Sequence, residues 1–251
     1  MEVKGYIFDY GGSLDSGGCH WGRVFWHAYE RAGLHVGEAQ FRQAYVAVER
    51  RLGREAIIKP DFTFRQTLEI KVPMQLEAMG ITEGSVADPP CSGGAAASEA
   101  VTSIVADLYA SAVRHTAQAR RVLQQLKAPK VLVSNFYGNM TTVLREMQLT
   151  DLFSAVIESA VVGVSKPDPR IFELGIDALG LQPQEVAVVG DSLRNDILPA
   201  RALGCQTVWL RGEQWDTACS GQSADEKDNS DTGKPSAVSR VITDLSELLS
   251  I

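Results

Sequence analysis

Between Ala117 and Arg211, amphipathic and apolar segments take turns, and that alternation limits the possible folds more than any other feature of the sequence. The stretches "ARRVLQQLK" (119–127), "NMTTVLREMQ" (139–148), "PRIFELGIDALG" (169–180) and "RNDILPARALG" (194–204) carry apolar residues three and four apart. That is the repeat of a helix with one buried face. Interleaved with them, "KVLVSN" (130–135), "FSAVIES" (153–159), "EVAVVGD" (185–191) and "QTVWLR" (206–211) read as strands. Most of these are nearly unbroken apolar runs bounded by polar turn residues, as expected of strands covered on both faces. Strands alternating with helices predict an α/β fold, an open parallel sheet with helices on both sides. An earlier strand is expected in "VKGYIF" (3–8), ending at Asp9 and a glycine pair, and a last strand and helix in 237–251.

Between the first strand and the alternating region the pattern is helical throughout. "WGRVFWHAYERAG" (21–33), "EAQFRQAYVAVERRLG" (38–53), "TFRQTLEIKVPMQLEAMG" (63–80) and "SEAVTSIVADLYASAVRH" (98–115) each have helical apolar spacing. The intervening "TEGSVADPPCSGGAAAS" (82–98) reads as a loop. The polar, aperiodic stretch 212–236 reads as a disordered loop. Residues 1–16 and 117–251 are therefore expected to form the sheet domain, and 17–116 an inserted all-helical domain. A chain of 251 residues, 45% hydrophobic, can bury both cores.

A net charge of −7 argues against a nucleic-acid-binding surface, so an anionic ligand would need a local pocket of cations or a metal. No apolar run reaches the roughly 18 residues of a membrane span. The start of the chain reads as a strand and not as a signal peptide. Cys19, Cys91, Cys205 and Cys219 show no CxxC spacing and read as free thiols in a reducing compartment. These features predict a cytoplasmic protein that binds neither nucleic acid nor membrane.

In open parallel sheets, ligands bind beyond the carboxyl ends of the strands. Those ends carry Asp9, Ser134 with Asn135, and Asp191 followed by Asp196; Lys166 sits in the loop after the third strand. Three converging carboxylates are unfavourable unless a cation neutralises them, and oxygen-only ligands suit Mg²⁺. A lysine, a serine hydroxyl and backbone N–H groups add donors for a tetrahedral anion. A carboxylate nucleophile, a metal and a fixed positive charge together describe phosphoryl transfer through an aspartyl-phosphate.

The segments "FDYGGSL", "VLVSN", "SKPDP" and "VVGDSLRND", in that order, resemble the four signature motifs of the haloacid dehalogenase-like superfamily. The resemblance implies a Rossmann-like core with an alpha-helical cap inserted between the first and second motifs. It makes Asp9 the nucleophile, with Ser134 binding the transferring phosphoryl group and Asn135, Gly11 and Gly12 lining its site. It gives Lys166 the task of holding Asp9 and the phosphoryl oxygens. Asp9, the Gly11 carbonyl, Asp191 and Asp196 become the Mg²⁺ ligands and their supports. The substrate would be a small phosphorylated metabolite.

One position departs from the pattern. Phosphatases of the superfamily carry a second aspartate, which protonates the leaving group, where this chain has Gly11. Two alternatives therefore stay open: metal-independent attack by Asp9 on carbon, as in the superfamily's dehalogenases, and a weakly catalytic binding or regulatory protein. Lacking a carboxylic acid at position 11, the chain should favour substrates whose leaving group needs no proton. His20 is the candidate for a replacement acid, and its competing reading is a capping residue. Tyr10 is expected to point away from the nucleophile. Trp21, Phe25, Trp26 and Tyr29 form a stripe at helical spacing, more consistent with core than with a substrate box. Lys59 and Arg65 are the helical segment's candidate cations for an anionic substrate tail.

Overall fold

The computed structural model describes residues 2–81, 95–215 and 238–250. Its strands are β1 (Gly5–Phe8), β2 (Lys130–Ser134), β3 (Ala155–Glu158), β4 (Val186–Gly190), β5 (Gln206–Leu210) and β6 (Arg240–Ile242). They form one parallel sheet in the order β3-β2-β1-β4-β5-β6. Alternate residues of each strand face opposite sides. Tyr6, Phe8, Leu132 and Val189 enter one apolar cluster, while Ile7, Val131, Val133 and Val188 enter another. Both faces are thus covered, which is why these strands read as unbroken apolar runs.

Helices α5 (Met140–Glu146), α6 (Ser159–Val162), α7 (Arg170–Leu179) and α8 (Leu198–Ala202) lie in the crossovers. Ile171, Phe172 and Ile176 of α7 cover the Ile7 face, and Met140, Val143 and Leu144 of α5 cover the other. The helical segment comprises α1 (Trp21–Arg31), α2 (Glu38–Arg54), α3 (Phe64–Ala78) and α4 (Ala95–Gln125). A capping box starts α3: the Thr63 hydroxyl accepts from the Gln66 N–H, and the Gln66 side chain accepts from the Thr63 N–H. Among the described residues no helix is long and apolar enough to cross a membrane. Cys19 and Cys205 are free thiols; Cys91 and Cys219 lie outside the described residues.

Three readings of the sequence need correction. The helices expected at 98–115 and 119–127 are one continuous helix, α4. The apolar rhythm falters at Thr116, but that side chain is buried, and its hydroxyl donates to the Ala112 carbonyl at 2.8 Å, so the helix carries through. The loop expected at 82–98 ends earlier, because 95–98 already belong to α4; its residues 82–94 lie outside the described residues. The stretch expected to be disordered from 212 begins instead with packed residues. Trp215 stacks on Phe41 and Tyr45, and the Gln214 amide donates to the Gly18 carbonyl at 2.9 Å. Residues 216–236 of that stretch lie outside the described residues. An isolated tryptophan in a polar run carries no period, so only tertiary contacts reveal its burial.

From β1 the chain builds outward to β2 and β3 on one side, then returns to add β4, β5 and β6 on the other. The strand order therefore reverses between β1 and β4, where open α/β sheets place their ligands.

Candidate active site

Two carboxylates flank that reversal. Asp9 follows the last residue of β1, its N–H donating to the Val189 carbonyl at 3.0 Å, and Asp191 follows the last residue of β4. Two glycines let the surrounding chain close in on them. Gly12 has φ +97, and a Cβ there would fall 2.5 Å from Asp191 Oδ1. A Cβ on Gly190 would fall 2.5 Å from the Asp196 side chain, which comes in from the π-helical turn Leu193–Ile197. That turn is capped by Ser192, whose hydroxyl accepts from the Asn195 N–H. Oxygens of Asp9, Asp191 and Asp196 lie within 4.8 Å of one another, all three buried.

Lys166 ties the cluster together. Its Nζ donates to Asp9 Oδ1 at 2.5 Å and to Asp196 Oδ1 at 2.8 Å, with the lysine only 6% exposed. Asp196 Oδ2 also accepts the Ser192 N–H at 3.1 Å, so both of its oxygens are engaged. Asn135 holds the lysine's backbone from both sides: its Oδ1 accepts from the Lys166 N–H at 2.8 Å and its amide donates to the Lys166 carbonyl at 3.0 Å. Asn135 thus positions Lys166 while also lining the cavity beside the cluster. Ser134 is buried at the end of β2. The Ser13 hydroxyl reaches Asp9 Oδ2 at 3.0 Å and Asp191 Oδ1 at 3.4 Å.

One ammonium against three buried carboxylates leaves negative charge in excess. Burial raises the Asp9 carboxyl to about 6, and Asp196 adds to the rise, although Lys166 opposes it. Burial, then Asp9 and Asp196, push Asp191 well above the usual carboxylate range. Burial alone would lower the Lys166 ammonium, but Asp196 and Asp9 outweigh it and raise its pKa. Dry, crowded, oxygen-only ligands with uncompensated charge fit a small hard dication such as Mg²⁺.

Beside the cluster lies a cavity of about 160 Å³ between the strand ends and the helical segment, reaching Gly11 and Asp191 at one end. Trp21 and Phe25 line it, so part of the aromatic stripe of α1 faces the cavity while Tyr29 stays in the core. His20 also lines it, as the cap of α1, with Nδ1 accepting the Gly22 N–H at 3.0 Å; burial lowers its pKa. Tyr10 is not among its lining residues; the ring packs edge-on against Phe136, and its buried hydroxyl has no hydrogen-bond partner among the described residues. Lys59 and Arg65 are exposed, Arg65 pairing with Glu69, and neither is among the cavity's lining residues.

Two lining groups escape a reading of the sequence. Lys71 is buried, paired with Glu49 at 2.5 Å, and donates to the Tyr137 hydroxyl at 3.0 Å. Its signal was positional: Leu68, Lys71, Val72, Gln75 and Leu76 share the buried stripe of α3, where a lysine is out of place. Asp15 is 1% exposed, its Oδ1 accepting the Gly12 N–H at 2.8 Å and its Oδ2 the Trp21 indole N–H at 2.9 Å. Burial raises its carboxyl to about 7 against the pull of those two donors.

Comparison with known proteins identifies the family. The family description "haloacid dehalogenase-like hydrolase" matches residues 22–204, and a HAD-hydrolase-like description matches 163–248. A phosphoserine phosphatase of Thermus thermophilus is 45% identical over 58 residues, 23% of this chain and 23% of that protein. A glyceraldehyde 3-phosphate phosphatase of Pyrococcus furiosus is 34% identical over 104 residues, 39% of this chain and 43% of that protein. The matched stretches thus span less than half of either relative. Among solved structures, the magnesium-bound YfnB of Bacillus subtilis aligns over 100% of this chain and 98% of its own, with TM-score 0.53 and 16% identity. A dehalogenase in an intermediate complex aligns over 99% and 96%, with TM-score 0.57 and 17% identity. At such identities these two structures speak to the fold alone, while the family match covers well over half of the chain. With the four motifs gathered at the strand reversal, the chain belongs to the haloacid dehalogenase-like hydrolases.

Proposed function

We propose that the chain is a Mg²⁺-dependent phosphohydrolase that moves the phosphoryl group of a small phosphorylated metabolite first to Asp9 and then to water. The observation that carries this reading is the Lys166 bridge, which fixes Asp9 at the strand reversal beside Asp191 and Asp196. An Asp9 oxygen attacks phosphorus; the new O–P bond forms as the ester P–O bond breaks, its electron pair leaving with the alcohol oxygen. Lys166 and Ser134 donate to the phosphoryl oxygens and hold them for in-line attack. Water then attacks the aspartyl-phosphate and releases inorganic phosphate. Asp9, the Gly11 carbonyl and Asp191 would hold Mg²⁺, with Asp196 in support, and the ion supplies neutralisation of the phosphoryl charge and of the carboxylate cluster.

Residues 17–116 act as a cap and residues 1–16 and 117–251 as the catalytic core, so the cavity between them receives the leaving group. Its mixture of aromatic rings and the Lys71–Glu49 pair suits a small polar leaving group better than a polymer. The phosphatase names of the relatives with partial matches support the same reading. The test is turnover of a panel of phosphorylated metabolites with Mg²⁺ and with chelator. Phosphate release that requires Mg²⁺ is expected. Activity on 2-haloacids, undiminished in chelator and without phosphate release from any panel member, would replace this reading with attack on carbon.

A further inference from the structure

We infer that Asp15 is the general acid of this site, protonating the leaving oxygen in place of the carboxylate absent at Gly11, and that the substrates are therefore alkyl phosphates. The inference rests on the phosphatase reading and reverses the expectation drawn from Gly11 alone.

No side chain fills the first position beyond Gly11: a Cβ built there would have only Trp21 Cδ1 within 4 Å, at 3.9 Å. The same indole ring, through the adjacent Nε1, holds Asp15 Oδ2 at 2.9 Å. The other carboxyl oxygen is fixed by the N–H of Gly12, the residue after Gly11. Asp15, four residues further along the chain, therefore lines the same cavity as Gly11 and Asp191. Each of its oxygens accepts one hydrogen bond and keeps a further lone pair, so one can carry a proton without releasing either donor.

The titratable groups around Asp15 are Asp9 and Asp191 at the strand ends, Lys71 of α3, Tyr45 of α2 and Tyr10. Burial first, with Asp9 adding to it, keeps a proton on Asp15 near neutrality. The other candidates fare worse. His20 has one ring nitrogen committed to capping α1 and a pKa lowered by burial, so it stays neutral. Burial pushes the Tyr10 hydroxyl far above its ordinary range. In the step itself, the ester P–O bond breaks, its electron pair takes the Asp15 proton, and the alcohol departs. The Asp15 carboxylate then accepts a proton from the water that attacks the aspartyl-phosphate, which restores the acid.

The experiment compares wild type and Asp15→Asn, with Mg²⁺, on 4-nitrophenyl phosphate and on alkyl phosphates of rising leaving-group pKa. Wild type should depend weakly on leaving-group pKa. Asp15→Asn should lose roughly 10² to 10⁴-fold on alkyl phosphates and only a few-fold on the aryl ester. Wild-type kcat/KM on alkyl phosphates should fall as pH rises through about 7, a limb missing from the variant. Equal losses on both substrate types would overturn the inference and leave Asp15 as a brace for Trp21. Inactivity of wild type on every phosphate would overturn the phosphatase reading and this inference with it. Should the variant fold poorly, the Trp21 indole N–H resonance of wild type, assigned with Trp21→Phe, decides the matter. It should titrate with a midpoint near 7, and a resonance that stays flat between pH 5 and 9 would also overturn the inference.

Discussion

Replacing Lys166 by methionine keeps most of the side-chain volume and removes the one cation that, among the described residues, is bonded to the carboxylate cluster. In the folded protein that ammonium lies 2.5 Å from Asp9 and 2.8 Å from Asp196, at 6% exposure. Breaking a buried pair by deleting one partner costs about 3–5 kcal/mol, because the other partner is left buried and uncompensated. The loss should depend on pH with a definite sign. Without Lys166, the folded-state pKa of Asp9 lies still further above its ordinary 3.8, beyond the value of about 6 that it has beside the lysine. A carboxyl with a raised folded pKa contributes stability that is fully present below about pH 4 and is lost as pH rises through the folded value. The deficit of Lys166→Met should therefore be smallest near pH 4 and widen towards pH 7. Urea denaturation at a series of pH values measures it, with chelator present so that no divalent cation substitutes for the lysine. Adding Mg²⁺ should recover part of the loss. A variant within roughly 1 kcal/mol of wild type at pH 7 would refute the idea that Lys166 neutralises this cluster.

Gly190→Ala should destabilise by about 1–3 kcal/mol in thermal unfolding, since its Cβ falls 2.5 Å from an Asp196 side chain that Lys166 and the Ser192 N–H hold in place. Asn135→Ala frees the backbone of Lys166 on both sides, so kcat should fall by roughly 10²-fold while KM changes little. Trp215→Ala removes a ring stacked on Phe41 and Tyr45 and flanked by Arg23 and Arg42, which should cost about 2 kcal/mol by urea denaturation.

The sheet is legible in the sequence because strands covered on both faces leave continuous apolar runs, and those runs end at the residues proposed to carry the chemistry. Parallel pairing then brought Asp9 and Asp191 to neighbouring strand ends, an outcome set by topology and needing no side-chain detail. What escaped depended on contacts between distant segments. Asp15 looks like one more polar residue in a glycine-rich turn until Trp21, six positions on, is seen to close over it. Lys71 is a lone lysine in a helix until the buried stripe of α3 is drawn and Glu49 is found across from it. His20 lies close in sequence to the first motif, and the short link to α1 makes it both that helix's cap and a lining residue of the cavity. Asn135 lines the cavity, as a substrate contact would, and its amide also holds the Lys166 loop against the end of β2, a contact that no local pattern reveals. Thr116 broke the apolar rhythm of α4 without breaking the helix, because a threonine can return its hydroxyl to the preceding turn.

Covalent capture at Asp9 tests the phosphoryl-transfer chemistry most directly. Wild type rapidly quenched in acid during turnover of a substrate radiolabelled in its phosphoryl group should retain a labelled acyl-phosphate, mapped by peptide mass to Asp9, and should show none without Mg²⁺. Beryllium fluoride, a mimic of aspartyl-phosphate, should bind stoichiometrically to wild type and not to Asp9→Asn, which keeps the shape of the side chain but not its nucleophilicity. Label on any residue other than Asp9, or undiminished turnover by Asp9→Asn, would contradict the chemistry derived for this site.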